Sequence, residues 1–453
     1  MPITQIPGLK PLPKTGAVTG LLEALAFFRD GSFAQRRFEQ LGNVYETRLL
    51  GQPLVFIRGS KAIQGLLDNP DASEGWWPAS VKQLLGSRSL ANRNGPSHKA
   101  RRRVVGQLFS AAALRRYNPC IVKLVNELAA DLIATATPVA LVERMRKFAF
   151  SVIAQVVLGL KEHDEQALFI DFEIWTKALF SVPIAIPGSP FAKAMDARKR
   201  LLARLTQVLE KARIDATAGL PLAGGLDLLS DGIDEAGLPL SDADLVEQLL
   251  LLLFAGYETT ASSLTCLMTM LLQHPQELAW LQQELTDLPW PNRSIQTSIN
   301  YEANEAPRLA AVVQEVMRLN PPVGGFFRLT TKELILDGVV VPAGRVVQVA
   351  LAASNRYQTN SNGVVVDQDD LEQFKPQRFM GTQISICLLP FGGGERVCLG
   401  KALAELEIRL MAVGLLKQLK LELLPEQNLT MQLVPSPSPK GGLVVKAKAN
   451  LVN

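Results

Sequence analysis

Apolar positions recur three and four residues apart along most of this chain, the spacing of one face of a helix. That periodicity predicts helices over residues 31–41, 98–110, 112–135, 140–160, 163–181 and 191–218, interrupted by Pro and Gly. Ser241, with Asp244 three residues on, marks a capped start for a long helix that runs to about His274, where Pro275 opens another. A further helix covers roughly 306–319 and stops at Pro321-Pro322, and a last one covers 399–419. Strand-like runs are few. Val44–Leu49 and Pro53–Arg58 read as a β-hairpin around Gly51-Gln52. Short strands are predicted at 333–341 and 345–350, split by Pro342-Ala343-Gly344, and near 419–424 and 442–448. The fold class is mainly α with small β-sheets (α+β), with a small β-rich portion from 42–58 and 326–350. No linker-like stretch divides the chain, so residues 1–453 are read as one domain.

One stretch needs a separate decision. Leu249 to Met270 is 22 residues long with a single charge, Glu258, near its middle. The length would span a bilayer. A carboxylate at midspan and Thr259, Thr260, Ser262, Ser263 and Thr265 argue instead for a helix through the core of a large protein. The start, MPITQIPGLKPLPKTG, lacks a basic segment followed by an apolar one, so neither a signal peptide nor a transmembrane anchor is expected. Hydrophobic residues make up 47% and charged residues 20%, which excludes wholesale disorder. A net charge of +4 is far below the basic footprint of a nucleic-acid binder. Four cysteines without a CxxC pair do not make a disulfide scaffold and point to a reducing cytoplasm.

The strongest candidate for chemistry is Phe391-Gly-Gly-Gly394-Glu-Arg396-Val-Cys398-Leu-Gly400, directly before a helix. As a phosphate loop it fails: Glu395 stands where the first glycine is needed and Ala402 where a hydroxyl is needed. Two readings remain open on the residues alone. One is a glycine turn with an inert cysteine. The other is a metal-bound thiolate, favoured by a helix N-terminus, with glycines admitting a flat cofactor and Arg396 reaching an anionic group on it.

The motif resembles the haem-ligand signature of the cytochrome P-450 family, F-x-x-G-x-R-x-C-x-G, at every fixed position. Three further motifs follow that family's order. Ala255-Gly256-Tyr257-Glu258-Thr259-Thr260 is similar to its oxygen-activating segment, an acid followed by an alcohol. A buried carboxylate must be hydrated or paired, and Thr259 can bond back to a helix carbonyl, so the two could hold a short water chain. Glu315-Val-Met-Arg318, with Arg378 in Phe374-Lys-Pro-Gln-Arg378-Phe379, reads locally as an i,i+3 surface pair. The resemblance instead gives Glu315, Arg318 and Arg378 a buried structural role. His98 and Arg102 lie four apart, hence on one helix face.

The resemblance implies the rest. The cofactor is haem b, with Cys398 as iron ligand. Phe391 and Gly400 are cofactor-binding, and His98, Arg102, Arg328 and Arg396 are placed at the haem propionates. Glu258 and Thr259 are the catalytic pair. The activity is a monooxygenase using O2 and two electrons from a separate donor, most naturally a ferredoxin with its reductase. Lys99, Arg101, Arg103 and Lys401 are a candidate basic docking patch for that donor.

Several stretches, among them Gly75-Trp76-Trp77-Pro78 and Pro321-Pro322-Val323-Gly324-Gly325, look most similar to the retinoic-acid-hydroxylating branch and its soluble cyanobacterial relatives. Trp77, Phe180, Val182, Ala255, Val323 and Phe326 are its implied pocket. The substrate is then a small hydrophobic molecule, a retinoid, apocarotenoid or other terpenoid. A fatty acid, or a haem-thiolate isomerase or peroxygenase that skips O2 activation, is the alternative. The sequence departs from the family at Ser354-Asn355-Arg356, in the loop 357–373 and at Gln377, which puts the packing of that segment in question.

Overall fold

A computed structural model describes residues 9–15, 33–49, 52–179, 181, 183–219, 224–229, 232–291, 299–358, 368–381, 388–433 and 435–450. The elements, in chain order, begin with α1 (Phe33–Leu41), β1 (Val44–Leu49), β2 (Gln52–Ile57), α2 (Ser60–Leu67), β3 (Ser73–Gly75), α3 (Ala79–Leu85), α4 (Gly95–Gly106) and α5 (Ala111–Ala134). Next come β4 (Val139–Ala140), α6 (Leu141–Ser151), α7 (Glu162–Thr176), α8 (Pro190–Thr217), α9 (Asp242–Gln273), α10 (Pro275–Asp287) and α11 (Pro307–Leu319). Then follow β5 (Gly325–Thr330), β6 (Leu334–Leu336), β7 (Val339–Val341), β8 (Val346–Ala350), α12 (Leu351–Ser354) and α13 (Gln368–Glu372). The chain closes with α14 (Lys401–Gln418), β9 (Leu419–Leu423), β10 (Met431–Gln432), β11 (Ser438–Pro439) and β12 (Val444–Ala449).

These residues form two compact units, each made from two stretches of chain. The first comprises residues 1–76 and 315–398. Its sheet has the order β1-β2-β8-β5-β3, with β2 and β8 parallel and the other pairs antiparallel. One face of the sheet packs Val55, Ile57, Val347 and Val349 against Ile63 and Leu66 of α2 and Leu336 and Val341 of the β6–β7 hairpin. On the other face Tyr45 stacks on Phe56, ring centroids 5.3 Å apart, next to Phe38. Alternate residues of β2 thus face two cores, as a period of two requires.

The second unit comprises residues 77–314 and 399–453. Its axis is α9, which packs against α6, α8 and α14. The predicted cap is present: Ser241 Oγ accepts from the Asp244 N–H at 3.2 Å. Gly256 lets α9 approach the turn of π-helix Val152–Val157, since a Cβ there would lie 2.5 Å from Ile153 Cδ1. The helix is apolar and long enough to cross a membrane, but 67% of its most apolar window is buried within the protein. The short elements α2, β3 and α3 were not predicted from the sequence. Each is brief and lacks a long periodic pattern: α2 and α3 are held by burial of Ile63, Leu66, Val81 and Leu84, and β3 by its pairing with β5.

Candidate active site

In the first unit the cysteine motif is a tight turn. Gly392 and Gly394 sit at φ of 70° and 65°, the left-handed region that glycine enters without cost. Gly393 lies against α2, where a Cβ would come within 2.7 Å of Leu67 Cδ1. The Cys398 N–H donates to the Phe391 carbonyl at 2.9 Å, which closes the turn and leaves Cys398 exposed.

Arg328 of β5 and Arg396 of the turn line one recess with Leu66, Leu67, Pro70, Ser73, Gly393, Gly394 and Glu395. Arg328 donates to the Phe327 carbonyl at 2.8 Å, and its guanidinium lies 4.6 Å from the Phe326 ring centre. Burial, and then the positive charge of Arg396, lower its pKa to about 10. Two guanidinium groups brought to one recess favour an anion there. This donor set fits a haem: Arg328 and Arg396 would hold its carboxylates, and Cys398 would supply the thiolate for its iron.

In the second unit the acid–alcohol pair lies on α9. Thr259 Oγ1 donates back to the Ala255 carbonyl at 2.7 Å, yet the helix is continuous across it. Ala255 is exposed and Thr259 half-buried, which leaves an open strip on a helix whose other residues are mostly buried. Glu258, on the adjoining face, pairs with Arg146 of α6 at 3.4 Å. Their recess is completed by Val142, Ala261, Ser262, Thr265, Pro437 and Ser438. The bonds of Glu258 and Thr259 therefore go to different partners. Tyr257 is buried against Phe172 and donates to Glu173 at 3.2 Å; burial and that carboxylate raise its pKa.

Glu315 and Arg318 are not a surface pair. Both side chains are 0% exposed, and Arg318 Nε lies 2.7 Å from Glu315 Oε2. Arg318 Nη2 donates to Glu315 Oε1 at 2.9 Å, and Arg378 Nε donates to the same oxygen at 2.9 Å. Asp370 takes a further bond from Arg378 at 2.9 Å. The departure at Ser354-Asn355-Arg356 is woven into this network. Asn355 accepts from Arg318 Nη1 and donates to the Arg318 carbonyl, both at 3.1 Å, and Arg356 donates to the Leu319 carbonyl at 2.6 Å. Asn355, Asp370 and Arg146 had no signal in sequence spacing; packing alone brings them in.

Other expectations fare unevenly. His98 is buried and Arg102 half-buried on α4, while Gly400 lies immediately before α14. Arg101 does not belong to a docking patch. It is 4% exposed and engages Asp244, at 3.4 Å, and Glu235. Two carboxylates cancel its charge, so only Lys99, Arg103 and Lys401 of that set are exposed. Of the pocket residues, Trp77 is half-buried and Val323 exposed, and Phe326 packs on the core of the first unit. Phe180 and Val182 lie outside the described residues.

The family model for cytochrome P-450 matches residues 11–452. This chain belongs to the cytochrome P-450 family. It is 35% identical over 430 residues to putative cytochrome P-450 120 of Synechocystis sp., covering 94% of each chain. It is 32% identical to cytochrome P-450 26B1 of Danio rerio, covering 93% of this chain and 83% of the relative. Among solved structures, retinoic acid bound cyanobacterial CYP120A1 matches with a TM-score of 0.85 and 33% identity, over 98% of this chain and 100% of that one. The P-450 is thus a haem b monooxygenase, consuming O2 and electrons from a redox partner to act on a hydrophobic substrate.

Proposed function

We propose that this P-450 hydroxylates a retinoid or closely related apocarotenoid. The observation that carries the site is the turn itself: an exposed Cys398, closed by the bond to Phe391, beside the recess of Arg328 and Arg396. Cys398 is the iron ligand, and Arg328, Arg396, His98 and Arg102 hold the haem carboxylates. Haem bound through a thiolate supplies the oxygen-activating chemistry. Glu258 moves protons inward, with Arg146 as its charge partner, and Thr259 offers its hydroxyl on the open strip of α9. Glu315, Arg318 and Arg378 brace the segment that leads to the cysteine turn.

The match to a retinoic-acid-bound structure over nearly the whole chain supports the substrate class. The apolar residues that the family resemblance assigns to the pocket, among them Trp77, Ala255, Val323 and Phe326, would suit a long isoprenoid. A ferredoxin is the donor we assign, docking by charge to a surface that retains Lys99, Arg103 and Lys401. Cys120 and Cys266, neither of them in a disulfide, accord with a reducing cytoplasm.

The first test is the carbon monoxide difference spectrum of the reduced protein beside Cys398→Ser. A strongly red-shifted Soret band, lost in the variant, is expected; its absence from the native protein overturns thiolate ligation by Cys398. Titration of the ferric protein with all-trans-retinoic acid and with palmitate then decides the substrate. A spin-state shift with palmitate alone refutes the retinoid assignment.

A further inference from the structure

Gly75 ends strand β3 at the sheet edge, and its cross-strand partner on β5 is Arg328. It is not among the glycines with positive φ, so backbone conformation does not explain it. Space does. A Cβ at position 75 would fall 2.3 Å from Arg396 Cζ, 2.5 Å from Nη1 and 2.8 Å from Nε. All three are guanidinium atoms, so the planar group of Arg396 rests where a side chain would start. β3 is held in register by pairing at Ser73, Glu74 and Gly75, and the neighbouring Trp76 packs edge-on against Phe327 at 5.5 Å.

We propose that Gly75 is a positioning residue: the seat of the Arg396 guanidinium, which sets that group beside Arg328 and so fixes where a haem carboxylate is held. This rests on the haem reading of the recess. The strand is held by its pairing with β5 and the guanidinium is the far end of a long, flexible side chain, so a methyl group at 75 displaces Arg396 rather than unfolding the sheet. A displaced fork loses the planar two-bond geometry that makes arginine a strong carboxylate partner.

Four full-length proteins test this: native, Gly75→Ala, Arg396→Leu and the double variant, each loaded with haem and followed for haem loss to excess apomyoglobin. Gly75→Ala is expected to release haem about tenfold faster, the loss of roughly one charge-assisted hydrogen bond. In the Arg396→Leu background the same substitution is expected to change the rate by less than about twofold, because the two act through one group. Native-like retention in Gly75→Ala overturns the proposal, as does an undiminished effect without Arg396. If Gly75→Ala fails to fold, folding restored in the double variant supports the seat, and failure in both overturns it. The native carbon monoxide band separates the two levels: a native chain without haem overturns the haem reading and the seat together, whereas a native band with an unaffected Gly75→Ala overturns the seat alone.

Discussion

The Arg146 guanidinium lies 3.4 Å from the Glu258 carboxylate, and the same guanidinium lies 3.5 Å from Glu143 on its own helix. Glu143 is largely exposed, whereas Glu258 is mostly buried, so one cation bridges an outer and an inner acid. Burial works against the Arg146 charge, but Glu258, Tyr257 and Glu143 hold its pKa above the usual arginine value. It stays a cation at every working pH.

Glu258→Gln removes the inner acid. Product formed per electron is expected to fall on the order of tenfold or more, with peroxide rising to match. Arg146→Met leaves the carboxylate but removes its partner, and a smaller loss of coupling is expected. Unchanged product and peroxide yields in both variants would remove Glu258 from the proton path.

The Glu315–Arg318–Arg378 cluster is fully desolvated, so breaking it strands a buried charge. Arg318→Ala is expected to destabilise the fold by ~3–5 kcal/mol. Arg318→Lys should recover little of this, because an ammonium cannot reproduce the fork that Glu315 and the Asn355 carbonyl receive. Denaturant unfolding of the variants checks both statements.

Glu407 of α14 is 1% exposed, and its Oε2 has no hydrogen-bond partner among the described residues. Burial raises its pKa well above the ordinary 4.5. A raised carboxyl pKa favours folding below the unfolded value and works against it as pH climbs toward the folded one. The native protein should therefore lose ~1.4 kcal/mol per pH unit from this group across that window. Glu407→Gln should flatten the slope. Unfolding free energies measured from about pH 5 to 8 would show parallel slopes if Glu407 were ionised in the fold.

Ser241 both accepts from the Asp244 N–H and donates to its carboxylate, at 3.2 and 3.0 Å. Ser241→Ala is expected to cost ~1 kcal/mol. Ser241→Asp should restore most of it, read as the shift in the unfolding midpoint.

What the sequence determined by itself was local. Helical periodicity located the long α9 and its cap to the residue, because a cap involves groups only three positions apart. Fixed spacing within ten residues of chain made the cysteine turn legible, and the order of four motifs made the family legible. Tertiary structure decided whatever depends on residues remote in sequence. Arg101 looked like surface charge until Asp244 and Glu235 met it, and Glu315–Arg318, a surface pair by spacing alone, had its buried role with Arg378 from the family resemblance and its bond to Asn355 only from packing. Gly75 carried no chemistry until Arg396 was found lying on it. Spacing along the chain states which face of an element a residue occupies; only packing states what that face meets, and burial then fixes whether a charge is solvated or must be paired.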